Sequence, residues 1–379
     1  MIVVCEPQCI GFEHVQVNAA LIAVVQGAFP DEEILFLAEE EHLNQAKEIL
    51  KSNSVEINCE ALRVPPRHQS NIERLPLEMR ICRNTFALAN ARKARKILFC
   101  SITTATLVSI KMLLRFYKGT ECVVIPHDIL EKVKSRPSYV PTETLFWFRF
   151  WIEFGNSDRL RYLVLSQLIQ ETLSQEIPRM AKYVQSIDLP YFFKKKATAL
   201  LTESNIKFAF IGAGKRSKGV DLFFKMAEEV QASSEAKPQF ILIGHMTDDS
   251  INRIPTSVCA PSPHAPLKRG EFETLLEKIH YVIFLHQTSS YTLTTSGALF
   301  DAFSNVKPII ALNSPLFDYY FKKMGDIGYL CKSYDEMKNV ILEILESKPI
   351  ERYLIQQKNV LEGRTQFDIT HLSKKLAAL

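Results

Sequence analysis

Two stretches of this chain combine backbone donors, hydroxyls and cations in a pattern that suits phosphate. In the first, from Tyr291 to Ala311 (YTLTTSGALFDAFSNVKPIIA), a polar turn opens a helix that feeds an apolar strand. The first turn of a helix has N–H groups without partners inside the helix, and the aligned peptide dipoles leave partial positive charge there, so an anion is stabilised. Tyr291 lies at the head of this turn. Thr294, Thr295 and Ser296 can add hydroxyl donors, Gly297 lets a ligand approach the backbone closely, and Asp301 follows one turn later. The simplest alternative is that Ser296 caps an ordinary helix and Asp301 faces solvent.

The second stretch, from Ile206 to Val220 (IKFAFIGAGKRSKGV), has the same logic at another strand-to-helix junction. Phe208, Ala209, Phe210 and Ile211 suit a buried parallel strand, Gly212 and Gly214 break it, and VDLFFKMAEEV continues at helical period. Lys215, Arg216 and Lys218 crowd the turn before Gly219, and cations with free backbone donors suit a diphosphate better than a single carboxylate. A solvated basic loop is the bland alternative. Neither of two known phosphate signatures fits. The Gly-Lys-Ser/Thr ending of a Walker A loop is absent, and Ser217 stands where the dinucleotide fingerprint needs a third Gly or Ala. The next strand, Phe240 to Ile243, ends in Gly244 and His245 rather than in an acidic residue, so ATPase and dehydrogenase readings drop.

The elements that must position these residues alternate strand and helix along the whole chain. IVVCEP opens as a strand without a charged segment before it, which argues against a signal peptide. A loop with Gly11, Glu13 and His14 leads into a helix over VQVNAALIAVVQGAF; EILFLAE, a helix around Leu43 to Leu50, a strand near Ala61 to Val64 and a helix from Leu77 to Arg95 follow. KILFCSI, the helix ATLVSIKMLLRFY and CVVIPHD come next. Such order predicts open parallel α/β sheets. A chain of 379 residues suits two domains of roughly 180 residues each, with a boundary near Leu189 to Asn205, where LPYFFKKKATALLTESN turns from apolar to basic and polar. Ligands of such sheets sit at the carboxyl ends of the strands, so the expectation is two facing doubly wound sheets with an interdomain cleft.

GAGKRSKGVDLFF, FILIGH and YVIFLHQTSSYTLTTSGALFDAFSNVKPIIA together resemble the C-terminal half of GT-B glycosyltransferases, especially the retaining family 4 type of bacterial polysaccharide assembly. The resemblance covers residues 204 to 345. It implies a domain at 1–200 that binds acceptor, a domain at 204–348 that binds the nucleotide sugar, and a segment at 349–379 that returns to the first. It further implies that Lys218 and Gly219 bind the donor diphosphate and that Asp301 takes the place of the glutamate near the donor ribose. The family's other glutamate falls on Leu293 and its arginine on Ala213, so Lys215 or Arg216 would supply that charge and Tyr291 or Ser296 would contact the sugar.

His127 ends the apolar strand CVVIP, followed by Asp128, and family 4 enzymes often carry there a histidine that contacts the transferred sugar. His127 is therefore the first catalytic candidate and His14, in the loop after the first strand, the second. No metal and no cofactor is expected beyond a nucleotide diphosphate sugar as donor substrate: there is no Asp-x-Asp, and the eight cysteines are scattered as in a cytoplasmic protein. TLFWFRFWIEF, from Thr144 to Phe154, holds both tryptophans, four phenylalanines and one arginine; it is too short to span a bilayer, and it suits either a buried helix or contact with the inner membrane face where a polyprenyl-linked acceptor would be presented. A net charge of +4 without a nucleic-acid motif argues against nucleic-acid partners. The expected activity is sugar transfer to a saccharide or lipid-linked saccharide. A nucleotide-sugar epimerase of the same fold and a non-catalytic glycan- or partner-binding member are the rivals.

Overall fold

In the computed structural model the chain divides into two compact units, and the structure describes all residues except 67–68, 128, 194–200, 202–204, 248–252 and 287–291, together with the side chain of 142. The first unit comprises Met1–Phe192, Thr292–Thr295 and Phe367–Leu379; the second comprises Phe193–Tyr291 and Ser296–Gln366.

The first unit is built on seven strands: β1 (Ile2–Cys5), β2 (Ile34–Ala38), β3 (Asn58–Ala61), β4 (Lys96–Phe99), β5 (Glu121–Val124), β6 (Leu160–Val164) and β7 (Val184–Ser186). They pair in the order β3-β2-β1-β4-β5-β6-β7, all parallel. Every residue of β1 and β2 is buried, which is why both read as unbroken apolar runs: a parallel sheet is covered on both faces. β1 lies between β2 and β4, with Ile2 level with both Ile34 and Lys96. The chain order reverses at that junction, and the loops after β1 and β4 rim the switch point.

The second unit repeats the plan with β8 (Lys207–Ile211), β9 (Gln239–Ile243), β10 (Val258–Cys259), β11 (Tyr281–Phe284), β12 (Ile309–Leu312) and β13 (Gly328–Cys331), ordered β10-β9-β8-β11-β12-β13 and again parallel. Its switch point lies between β8 and β11. One phosphate-like stretch of the sequence spans β8 and the turn after it, and the other holds the helix Gly297–Ser304 between β11 and β12.

Several boundaries differ from the sequence expectation. The third strand is Asn58–Ala61 rather than Ala61 to Val64, and the long helix runs from Asn71 to Ala91 rather than from Leu77 to Arg95. A capping box explains the early start: the Ser70 hydroxyl accepts from the Glu73 N–H while the Glu73 carboxylate accepts from the Ser70 N–H at 2.7 Å, and Pro76 is carried inside the helix at the cost of one backbone bond. The aromatic segment forms two short helices, Pro141–Thr144 and Phe148–Glu153. Phe148 and Ile152 are buried in the first unit's core, whereas Leu145, Phe150 and Phe154 are exposed. No helix among the described residues is long and apolar enough to cross a membrane.

The last helix, Ile369–Ala377, belongs to the first unit, where it packs on the helix Val15–Ala28. The contact is close: the Ser373 hydroxyl donates to the Val24 carbonyl at 3.1 Å, and a Cβ on Gly27 would lie 2.4 Å from that hydroxyl. The preceding helix, Ile350–Gly363, stays with the second unit.

Candidate active site

In the second unit, the turn after β8 is shaped by packing as much as by any ligand. Gly212 N–H donates to the Ile243 carbonyl at 2.9 Å and Gly214 N–H to the His245 carbonyl at 2.7 Å, so the turns after β8 and β9 run on together past the sheet. A Cβ on Gly214 would meet the Met246 sulfur at 2.5 Å. Lys215 and Arg216 are exposed; Arg216 pairs with Asp221 at 3.3 Å. Lys218 ends a short 3-10 turn and is half-buried, and burial pushes its ammonium pKa down, with Lys215 adding to the shift. Gly219 follows in the left-handed region (φ 80°) and N-caps the helix Val220–Ser233; a Cβ there would sit 2.3 Å from the Leu285 carbonyl oxygen at the end of β11. That backbone contact holds the Lys218 turn against the end of β11.

On the β11 side, Ser296 caps the helix Gly297–Ser304, its hydroxyl accepting from the Leu299 N–H at 3.4 Å. Gly297 is exposed, and a Cβ there would meet nothing within 4 Å, so no packing demand accounts for the glycine. The far end of the helix is held by Arg364, whose guanidinium donates to the Phe303 and Ser304 carbonyls at 3.1 and 2.8 Å, a cation at the negative end of the dipole. Asp301 does not simply face solvent: its carboxylate pairs with Arg269 at 2.7 Å, and Arg269 also reaches Glu273 at 2.6 Å. Tyr291 lies outside the described residues, as does Asp128.

In the first unit, His14 and His127 come together. Their rings meet edge to face with centroids 5.1 Å apart, and both line a small cavity at the carboxyl ends of the strands with Glu6, Asn18 and Ser101. The Glu6 carboxylate, 1% exposed, forms no ion pair among the described residues; the N–H groups of Gln8 and Cys9 at 2.9 and 3.1 Å, the Asn18 amide at 3.0 Å and the Ser101 hydroxyl satisfy it. The Asn18 amide also donates to His42 Nε2 at 3.1 Å, which leaves the His42 proton on Nδ1, where it is donated to the Gly11 carbonyl at 2.9 Å. Burial lowers the His42 pKa against the opposing pull of Glu6, so the ring stays neutral. Pinned at Cys9 and Gly11, the loop delivers His14 with a left-handed backbone (φ 51°) at the start of its helix.

Thr292–Thr295 belong to this first unit. Leu293 is fully buried in its core near His127 and Leu130, and its N–H donates to the Glu131 carboxylate at 2.7 Å, while Thr292 bonds to Lys134. Thr295 is 3% exposed, and its hydroxyl finds no hydrogen-bond partner among the described residues. Sequence reasoning singled out neither Glu6, Asn18 and His42 nor Arg269 and Glu131. Glu6 had a signal, a carboxylate directly after a wholly apolar strand; Arg269 and Glu131 had none, because their partners are 32 and 162 residues away.

No family model and no curated relative matches the chain. Solved structures do. HepE of Anabaena, solved with UDP and glucose, superposes with a TM-score of 0.68 at 15% identity, covering 100% of this chain and 98% of that one. A variant of Staphylococcus aureus TarM, solved with fondaparinux, α-GlcNAc-glycerol and UDP, gives 0.65 at 10% identity over 100% and 99%. A UDP-forming α,α-trehalose-phosphate synthase from Burkholderia vietnamiensis gives 0.63 at 10% over 100% and 98%. At such low identity the likeness is one of fold: two parallel α/β sheets in one chain, the GT-B architecture of these glycosyltransferases.

Proposed function

We propose that the protein is a glycosyltransferase that moves a sugar from a nucleotide diphosphate sugar to a saccharide or lipid-linked saccharide. The observation that carries this reading is the switch point of the second sheet. There the half-buried Lys218 and the open helix start at Gly297 follow adjacent strands. Cations and a helix N-terminus together stabilise a diphosphate, and they would stabilise it further as a leaving group. Lys218, with Lys215 or Arg216, neutralises the diphosphate in this reading without a metal. Ser296 and Gly297 donate hydrogen bonds at the helix start. Asp301, steadied by Arg269, accepts from the ribose hydroxyls. The binding of UDP by HepE and TarM supports a nucleotide donor.

His127 and His14 orient the transferred sugar, a role their edge-to-face contact in one cavity supports. Transfer with retention rests on the family 4 resemblance. For a lipid-linked acceptor, the exposed Leu145, Phe150 and Phe154 beside Arg149 offer a peripheral contact with the inner membrane face.

Calorimetry with UDP, GDP, ADP and CMP tests the donor site. One nucleotide should bind saturably to the wild type and at least tenfold more weakly to Lys218→Ala, a loss of about 1.4 kcal/mol or more. No binding by any of them would sink the transferase reading. A second reading, a non-catalytic binding protein, is favoured by Leu293, a core residue at the position where the resemblance expects a carboxylate. It predicts glycan or partner binding that survives Lys218→Ala.

A further inference from the structure

We propose that His245 is a third nitrogen donor to the diphosphate, beside Lys215 and Lys218, so that a nucleoside diphosphate binds with uptake of a proton. The inference rests on the donor-site reading above and adds a residue and a pH dependence to it.

The backbone places the ring. Gly214 N–H donates to the His245 carbonyl at 2.7 Å, and Thr247 N–H returns to the Gly214 carbonyl at 3.4 Å, which sets Met246 level with Gly214 and His245 one residue before it, beside the turn that carries Lys215. Gly244 can carry no side chain, because a Cβ there would lie 1.9 Å from the Gly212 carbonyl oxygen. His245 is thus the first side chain beyond the carboxyl end of β9. Met246, the next residue, is buried against Gly214. In this extended segment successive side chains point to opposite sides, and His245 is only half-buried.

Among the described residues, the charges that act on the ring are of one sign. Burial holds the His245 imidazole pKa below the ordinary value, and Lys215 and Lys218 push it the same way. Among the described residues no carboxylate pairs with either lysine. Two lysines beside the imidazole disfavour its protonation until an anion arrives. A diphosphate reverses the local field, the imidazole takes a proton from solvent, and the resulting N–H donates to a phosphate oxygen. His286, buried between Phe284 and Phe317 and held neutral behind Lys218, is not part of this contact.

Isothermal titration at pH 5.5 and pH 7.5, in buffers of different ionisation enthalpy, reads both affinity and proton uptake; UDP and inorganic pyrophosphate are the probes. For the wild type, the gain in affinity at pH 5.5 should exceed that of His245→Gln by roughly fivefold, and the variant should lose part of the proton uptake. The ligand's own titration is common to both proteins and cancels. Equal pH dependence in the two would overturn the proposal. Should Lys218→Ala weaken UDP binding while His245→Gln changes nothing, the inference falls and the donor site stands; if the wild type binds neither probe, both fall. Should His245→Gln fail to fold, histidine NMR of the wild type decides, since pyrophosphate must raise the pH at which the His245 ring titrates.

Discussion

Glycines in the candidate site have two different reasons, and only the structure separates them. Gly219 is required by its left-handed backbone and by the Leu285 carbonyl against it. Gly219→Ala should therefore lose about 2–4 kcal/mol of stability in urea unfolding, whatever the ligand. Gly297 has an ordinary backbone and open space beside it. Gly297→Ala should stay within about 1 kcal/mol of wild type, or gain stability through helix propensity, yet bind UDP more weakly. Unchanged UDP affinity would remove Gly297 from the donor site. Leu293 was legible as a missing carboxylate but not as a core residue, since the residues around it lie just past β5, on β6 and at the turn at Leu130.

At the scale of elements, the loop between β1 and its helix is fixed by a ring of buried hydrogen bonds that requires His42 to be neutral. A protonated ring would present Nε2–H to the Asn18 amide, donor against donor. The sign of the pH effect follows from the lowered pKa. Below the ordinary value of 6.5 the unfolded chain takes up a proton that the folded His42 refuses, so stability falls as pH drops from 6.5 toward the folded pKa. In urea titrations between pH 5 and 7, His42→Phe should be less stable at pH 7 and show a shallower loss on acidification. An unchanged acid slope would show that His42 does not set it. The element itself was readable from VQVNAALIAVVQGA; the ring was not, because Glu6, Asn18 and His42 are brought together from three separate segments.

At the scale of the molecule, two units with separate cores need not unfold together. Ligand that binds only the folded second unit stabilises it by about 2.7 kcal/mol at a hundredfold excess over Kd. Scanning calorimetry with UDP should therefore raise the transition of the second unit most. Removing residues 367–379 uncovers the Gly27 face of the helix Val15–Ala28 and should lower the transition of the first unit instead. A shift confined to the second unit would contradict the placement of the last helix.

Local sequence was enough for the alternation of strand and helix, the parallel sheets and the strand-to-helix turns on which the candidate site residues stand. Those are local matters, set by apolar periodicity, by glycine and by helix-start chemistry, which neighbouring residues encode. Only the tertiary structure decided that the turns after β8 and β11 adjoin at one switch point and that His14 meets His127. It alone paired Asp301 with Arg269 and buried Leu293 in the first unit. Each of these depends on strand order and on packing between segments far apart in the chain, which no window of sequence contains.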